Sequence, residues 1–111
     1  MSKRPVQILL EDMGEAFERI QAYTKDMSQE AFNQDRRTSD AVVRNLEIIG
    51  EAASRLPSYF KQQHQNIEWE KIVGLRHRIV HDYFGVDLQI IWQILQSDLP
   101  AFHSMLRQLR H

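Results

Sequence analysis

The chain contains no cysteine, and it has few residues that bend or interrupt a backbone, with four glycines and three prolines among 111 residues. The missing thiols exclude disulfide scaffolds, cysteine nucleophiles and cysteine-based zinc sites. So few turn-forming residues disfavour an all-β domain, which needs many tight turns. The length is that of one compact domain, which we take to span residues 1–111.

An excess of charge of one sign and long hydrophobic runs are lacking as well. Lys and Arg together number 14 against 15 Asp and Glu, which gives a formal net charge of −1. A nucleic-acid site would therefore have to be a local cluster of basic residues. The apolar stretch at residues 6–10 is far too short for a signal peptide or a membrane span. We expect a cytoplasmic protein with no membrane contact.

The apolar residues recur at intervals of three and four, a spacing that predicts helices nearly throughout. One helix is predicted over residues 5–25, followed by a short helical turn capped by Ser28. After a polar connector at residues 33–37, a second helix should start at one of three capping residues and end before Pro57. The three candidate caps are Thr38, Ser39 and Asp40.

The second half of the chain continues this pattern. A further short turn is predicted within residues 57–68, and a third main helix over residues 69–80. Asp87 is expected to cap a fourth, which Pro100 should kink. Gly50, inside the second helix, should permit the close approach of another helix. The predicted fold is all-α, an up-and-down bundle of four main helices with short extra helical turns.

Residues 76–83 depart from this simple pattern, because two His, two Arg, an Asp and a Tyr occur within eight positions. Arg76 follows the apolar line that runs through Ile72 and Ile79, so we expect its guanidinium to share their face. A charge in that position is costly unless it is paired or lines a cleft that receives an anion.

These side chains suit phosphate chemistry. Histidine moves a proton near neutral pH, and arginine donates to phosphate oxygens. Together they suffice for metal-free cleavage of RNA, in which the ribose 2′-OH attacks the adjacent phosphate. On an ideal helix Arg76 and His81 point about 140° apart. A shared site therefore needs the helix to loosen after Val80, or a second copy of the chain to complete it.

Other interpretations of the same residues stay open. Arg76 could be a structural, salt-bridged arginine, and His81 could stabilise a helix C-terminus. His77 and His81 are spaced to hold a metal ion together with Asp82, which would make the protein a metal-dependent hydrolase. Tyr83 could be an aromatic residue at the edge of the core.

Four residues separate Arg76 from His81, and one residue separates His81 from Tyr83. This pattern resembles the R-x4-H-x-Y motif of the HepT toxins, which belong to the HEPN superfamily. Residues 40–52, 67–69, 82–87 and 92–100 resemble the same family in the same order. The resemblance covers residues 9–100.

This resemblance implies a HEPN-type helical bundle that acts as a homodimer, with the two motifs facing each other across the two-fold axis. It implies that Arg76 and His81 catalyse RNA cleavage without a metal or other cofactor. Tyr83 would accept AMP from a cognate MntA-type nucleotidyltransferase antitoxin, which would silence the toxin. By the same resemblance, His77 and Asp82 would support the catalytic pair. Relatives often have Asn at the position of His77. Unlike Asn, histidine changes its charge near neutral pH.

Other polar residues have two interpretations each. The remaining candidate RNA contacts, which could equally be solvated surface charges, are Arg36, Arg37, Arg44 and Arg78. The candidates to brace the motif, or to make ordinary interhelical hydrogen bonds, are Asn45, Glu47 and Glu51.

Two functions from different classes follow from these observations. The first is a ribonuclease toxin that cleaves tRNA or mRNA and is neutralised by its antitoxin. The alternative is a non-catalytic subunit that binds the nucleotide or the substrate for a nucleotidyltransferase. Cleavage of RNA by the purified protein distinguishes the first from the second.

Overall fold

A computed structural model of the chain describes residues 4–79, 85 and 87–109. Within these ranges all the regular secondary structure is helical, as the sequence predicts. In chain order the elements are α1 (Val6–Thr24), α2 (Gln29–Gln34), α3 (Arg36–Arg55), α4 (Ser58–Gln63), α5 (Trp69–Val73), α6 (Leu75–Ile79), α7 (Leu88–Gln93), a π-helical turn (Ile94–Asp98) and α8 (Leu99–Leu109).

The two long helices, α1 and α3, pack against each other and form the centre of the bundle. Each contributes an apolar stripe with helical spacing, which is why the periodicity located both of them. The all-α bundle fold is therefore confirmed. In the described part of the chain, no helix combines the length and the apolarity that crossing a bilayer requires. The most deeply buried side chains of the two helices include Leu10, Met13, Ile20, Val42, Leu46 and Ile49.

The short helices agree with the predicted turns, but the predicted start of α3 is wrong. Ser28 caps α2 by accepting a hydrogen bond from the Ala31 N–H at 3.1 Å. The cap of α3 is Asp35, which accepts from the Thr38 N–H at 3.0 Å and from the Thr38 hydroxyl at 2.8 Å. The first of these bonds satisfies an otherwise unpaired helix N–H. With Asp35 as the cap, Arg36 and Arg37 lie in the first turn and not in a connector.

Gly50 allows α3 and α5 to touch through their backbones, as predicted. A Cβ atom at this position would lie 3.2 Å from the Ile72 carbonyl oxygen and 3.5 Å from that of Val73. The first distance is tighter than an ordinary van der Waals contact, so only glycine allows the two backbones to lie this close without a shift.

The predicted third helix is divided in two. α5 ends at Val73 and α6 begins at Leu75, with Gly74 between them. The backbone at Gly74, with φ −86° and ψ 9°, departs from helical geometry. The predicted end of this helix at Val80 lies outside the described residues.

The last helical run contains the irregularity that the sequence predicted near Pro100. Asp87 caps α7 by accepting from the Ile90 N–H at 3.1 Å, as predicted. The π-helical turn follows, and in it the Leu99 N–H bonds to the Ile94 carbonyl. Proline has no N–H and its ring clashes with the carbonyl four residues earlier, and a wider turn before Pro100 relieves that conflict.

Candidate functional site

A groove of about 500 Å³ lies between α3 and the α5–α6 pair. One face of α3 supplies most of its wall, because residues at intervals of three and four project from the same side of a helix. The charged and titratable side chains that line the groove are Arg4, Asp12, Arg44, Glu47, Glu51, Arg55, Arg76 and His77.

Arg76 lies at the edge of this groove, and its side chain is 70% exposed. The prediction that it shares an apolar face with its neighbours is therefore wrong for the single chain. Leu75, which is fully buried, occupies the inward position between Ile72 and Ile79. The guanidinium, one residue further round the helix, is left facing solvent.

Among the described residues, Arg76 forms an ion pair with Glu47, whose Oε2 lies 3.5 Å from Arg76 Nε. Glu47 lies one turn before Gly50 on α3, and Arg76 lies one turn after Ile72 on the opposing element. Because α3 and α5–α6 run in opposite directions past the Gly50 contact, this register brings the two side chains together.

Two other arginines of the groove are held more completely. Arg4 donates from Nε and Nη2 to the two carboxylate oxygens of Asp12, at 2.9 and 3.1 Å. Arg55 reaches Glu51 with the same two nitrogens, at 2.9 and 2.8 Å. Within the described ranges, Arg44 has no ion pair. The groove therefore has four arginines against three carboxylates, and Arg44 and Arg76 are the least neutralised cations.

Arg78 is paired much more closely than Arg76. Its Nη1 lies 2.8 Å from Asp98 Oδ2, and the two side chains are only 38% and 33% exposed. This pair fastens α6 to the π-helical turn. Beside it, the backbone N–H of Asp87 donates to the Ile79 carbonyl at 2.8 Å. An RNA contact by Arg78, which stays a prediction, would have to compete with its carboxylate partner.

The other predicted site residues are distributed unevenly. His77 is exposed and lines the groove next to Arg76. Arg36 and Arg37 are exposed at the start of α3 and do not line the groove. The remaining three predicted residues lie outside the described part of the chain, so their roles stay predictions: His81, Asp82 and Tyr83.

Of the three side chains predicted to brace the motif, one contacts the part of the motif that the structure describes. Asn45 donates to the Ala41 carbonyl of its own helix at 2.9 Å, and Glu51 pairs with Arg55 on the same helix. Glu47 alone crosses to α6. The periodicity puts Glu47 and Glu51 on one face of α3, but only the register against α6 shows which carboxylate meets the motif.

A metal site is neither supported nor tested by the described residues. In that part of the chain no three His, Cys, Asp or Glu side chains come together in a way that could hold an ion. The metal-binding interpretation requires His81 and Asp82, which lie outside it.

Comparison with known proteins gives matches that cover most of the chain. The family model described as Ribonuclease HepT-like matches residues 13–109. The chain is 39% identical to the Probable ribonuclease HepT of Thermococcus cleftensis, over 97% of this chain and 98% of that protein.

Two candidate RNases of Methanocaldococcus jannaschii are 38% and 37% identical to this chain. Each alignment covers 90% of this chain, and it covers 92% of the first relative and 83% of the second. No solved structure gives a significant match.

Proposed function

Because the chain belongs to the HepT-like ribonuclease family, we propose that it is a metal-independent endoribonuclease in which Arg76 and His81 carry out the reaction. The observation that carries this proposal is the presentation of the Arg76 guanidinium to an open groove, with no hydrogen bond to it among the residues that the structure describes. An arginine with only a structural role would be expected to hold its carboxylate partner closely, as Arg4 does at 2.9 and 3.1 Å.

The proposed reaction is an internal transfer at phosphorus. His81 takes the proton from the ribose 2′-OH, whose oxygen forms a bond to the adjacent phosphorus while the bond from phosphorus to the 5′-oxygen breaks. A protonated group, the second His81 of a dimer or water, returns a proton to the departing 5′-oxygen. The products are a 2′,3′-cyclic phosphate and a free 5′-OH. Arg76 binds the phosphate and offsets the charge that builds up on its oxygens in the transition state.

We further propose that the active unit is a homodimer whose two motif helices face each other. Each single chain presents Arg76 on an exposed edge of its groove. A two-fold arrangement of these edges would concentrate the arginines of both chains on one RNA strand, which compensates for the near-neutral total charge.

The test is cleavage of a labelled RNA by the purified protein in excess EDTA, with analysis of the product ends. We expect cleavage to persist in EDTA and to leave a cyclic phosphate, and we expect His81→Ala to abolish it. Arg19→Ala is the matched control, because it removes an exposed arginine of α1 that pairs with Glu15 away from the groove. Full activity of His81→Ala, or loss of wild-type cleavage in EDTA, would refute the proposed chemistry.

Regulation by an MntA-type antitoxin is part of the same proposal. The Tyr83 oxygen would attack the α-phosphorus of ATP, forming a phosphodiester to AMP and releasing pyrophosphate. Each added group brings a negative charge and bulk close to the catalytic pair. Co-expression with the antitoxin should add about 329 Da per AMP to the intact mass, and Tyr83→Phe should not gain it. An unchanged wild-type mass would contradict the switch.

A second function, a non-catalytic nucleotide-binding subunit, is favoured by one feature of the groove. Its volume of about 500 Å³ lies within the usual range for small-molecule sites, and Arg44 is available there for a phosphate. This alternative predicts nucleotide binding by the purified protein with no RNA cleavage under any condition.

A further inference from the structure

The ion pair between Glu47 and Arg76 differs in one respect from the other ion pairs of the groove. Arg4 and Arg55 each engage both Nε and Nη2 with a carboxylate. Arg76 approaches Glu47 most closely through Nε, and no hydrogen bond fixes its guanidinium among the residues that the structure describes. Within those residues, the four N–H groups of its two Nη atoms make no hydrogen bond.

This geometry has a chemical consequence. The outer edge of a guanidinium, formed by Nη1 and Nη2, can donate two parallel hydrogen bonds to two oxygens of one phosphate. A carboxylate that contacts Nε restricts rotation of the guanidinium plane while leaving that edge open. Such a contact reduces the ordering that the flexible arginine side chain must undergo when a phosphate binds.

The ion pair between Glu47 and Arg76 contributes little to the stability of the fold. Arg76 is 70% exposed and Glu47 is 33% exposed, and the two atoms are 3.5 Å apart. Exposed ion pairs of this length contribute little to the free energy of folding, because water screens the charges and two long side chains must be immobilised. What the pair does supply is a preferred direction for Arg76.

We propose that Glu47 is a positioning residue of the ribonuclease site: it holds Arg76 through Nε so that the Nη edge meets the scissile phosphate. This inference rests on the proposed function and adds to it a residue of α3, outside the R-x4-H-x-Y motif. A carboxylate in an RNA-binding groove repels phosphate, so the charge of Glu47 weakens RNA binding. By orienting Arg76, the same charge raises the rate of cleavage.

The opposite effects on binding and turnover make the role testable. Glu47→Gln keeps the size of the side chain and removes its charge. We expect kcat for a short labelled RNA in EDTA to fall about tenfold or more, since small misplacements of a binding group reduce rates to this extent. We expect KM to stay level or to fall, because the groove loses a negative charge. A loss of structure would instead lower the apparent kcat and the melting temperature together.

Two further variants complete the design. Glu47→Asp keeps the carboxylate on a shorter side chain and should give a kcat between those of the wild type and Glu47→Gln. Glu15→Gln is the matched control, because it breaks an ion pair of nearly the same length, 3.6 Å, on α1 away from the groove. Its kcat and melting temperature should equal those of the wild type.

The outcomes separate the two proposals. If the wild type cleaves RNA and Arg76→Ala does not, while Glu47→Gln turns over as fast as the wild type or faster, the positioning role is overturned and the ribonuclease stands. If the wild type does not cleave RNA, the proposed function itself fails and the inference fails with it. A slower Glu47→Gln with unchanged or lower KM and an unchanged melting temperature supports the inference.

Discussion

Arg76 and Arg78 lie two positions apart on α6, and their surroundings differ in almost every respect. Arg78 is held at 2.8 Å by Asp98 and is 38% exposed, whereas Arg76 is 70% exposed and only loosely paired at 3.5 Å. The closer pair joins α6 to the π-helical turn before α8, and the looser pair borders the groove. Neighbouring residues of the same type thus divide two tasks: Arg78 fastens the helix, and Arg76 is available to a ligand.

The largest effect is expected from a substitution that changes the shape of the exposed Arg76 side chain and keeps its charge. Arg76→Lys retains a positive charge but loses the planar fork that can donate to two phosphate oxygens at once. We expect kcat/KM for RNA to fall about 100-fold, equivalent to about 2.7 kcal/mol of transition-state stabilisation. The melting temperature should be unchanged, since Arg76 contributes little to packing. Activity of Arg76→Lys close to that of the wild type would show that charge alone suffices.

A second change acts on the backbone contact that sets the register between α3 and α6. Gly50→Leu places a side chain where a Cβ would already lie 3.2 Å from the Ile72 carbonyl. Overpacking of this kind costs about 1–3 kcal/mol, which for a chain of this size lowers the melting temperature by roughly 5–15 °C. RNA cleavage by the protein that remains folded should also fall, because Glu47 and Arg76 move apart. Thermal unfolding followed by circular dichroism checks the first effect, and an assay well below the transition checks the second.

A third change tests the fastening role of Arg78. Asp98→Asn removes the charge that faces Arg78 and leaves a polar side chain of similar size. The side chains of Arg78 and Asp98 are 38% and 33% exposed, so water weakens their attraction. The free energy of unfolding should therefore fall by about 1 kcal/mol or less, which lowers the melting temperature by a few degrees. The kcat for RNA should change less than in any Arg76 variant. A large loss of kcat at an unchanged melting temperature would contradict this division of tasks.

The smallest expected effect concerns the far end of α3 and depends on pH. Hydrogen bonds from the Thr38 N–H and hydroxyl lower the pKa of Asp35 below its ordinary value of 3.8. A carboxyl whose pKa is lower in the folded state stabilises the protein above its unfolded pKa, and this stabilisation disappears as the pH falls through the folded value.

Asp35→Ala should therefore melt below the wild type at pH 7, and the difference should shrink as the pH is lowered from 4 towards 3. Cleavage at pH 7, measured well below the melting temperature, should be unaffected. A difference in melting temperature that is constant across this range would show that the charge of Asp35 plays no part.

Much of the fold could be predicted from local signals. The apolar stripes located α1 and α3, and Ser28 and Asp87 were identifiable as caps because each is a good acceptor ahead of an apolar run. The start of α3 could not be chosen correctly, since four acceptors occur between residues 35 and 40. The cap is Asp35, where two hydrogen bonds from Thr38 converge on one carboxylate.

The sequence predicted which residues form the candidate site, but it could not predict how Arg76 is arranged there. The motif identified Arg76, but its exposure depends on which neighbour turns inward, and Leu75 does so just after the break at Gly74. The partner of Arg76 depends on the register between two helices, and the sequence alone could not distinguish Glu47 from Glu51. That register follows from the backbone contact at Gly50: the sequence predicted a close approach there, but not that Ile72 and Val73 of α5 make it.

The central claim is that the exposed Arg76 acts on RNA, and the rate of RNA cleavage by Arg76→Ala tests it most directly. The measurement compares this variant with the wild type in excess EDTA, at equal concentrations and at a temperature where both are folded. The account predicts cleavage by the wild type and none detectable by Arg76→Ala, with equal melting temperatures. Cleavage by Arg76→Ala at a rate within a few-fold of the wild type would contradict it.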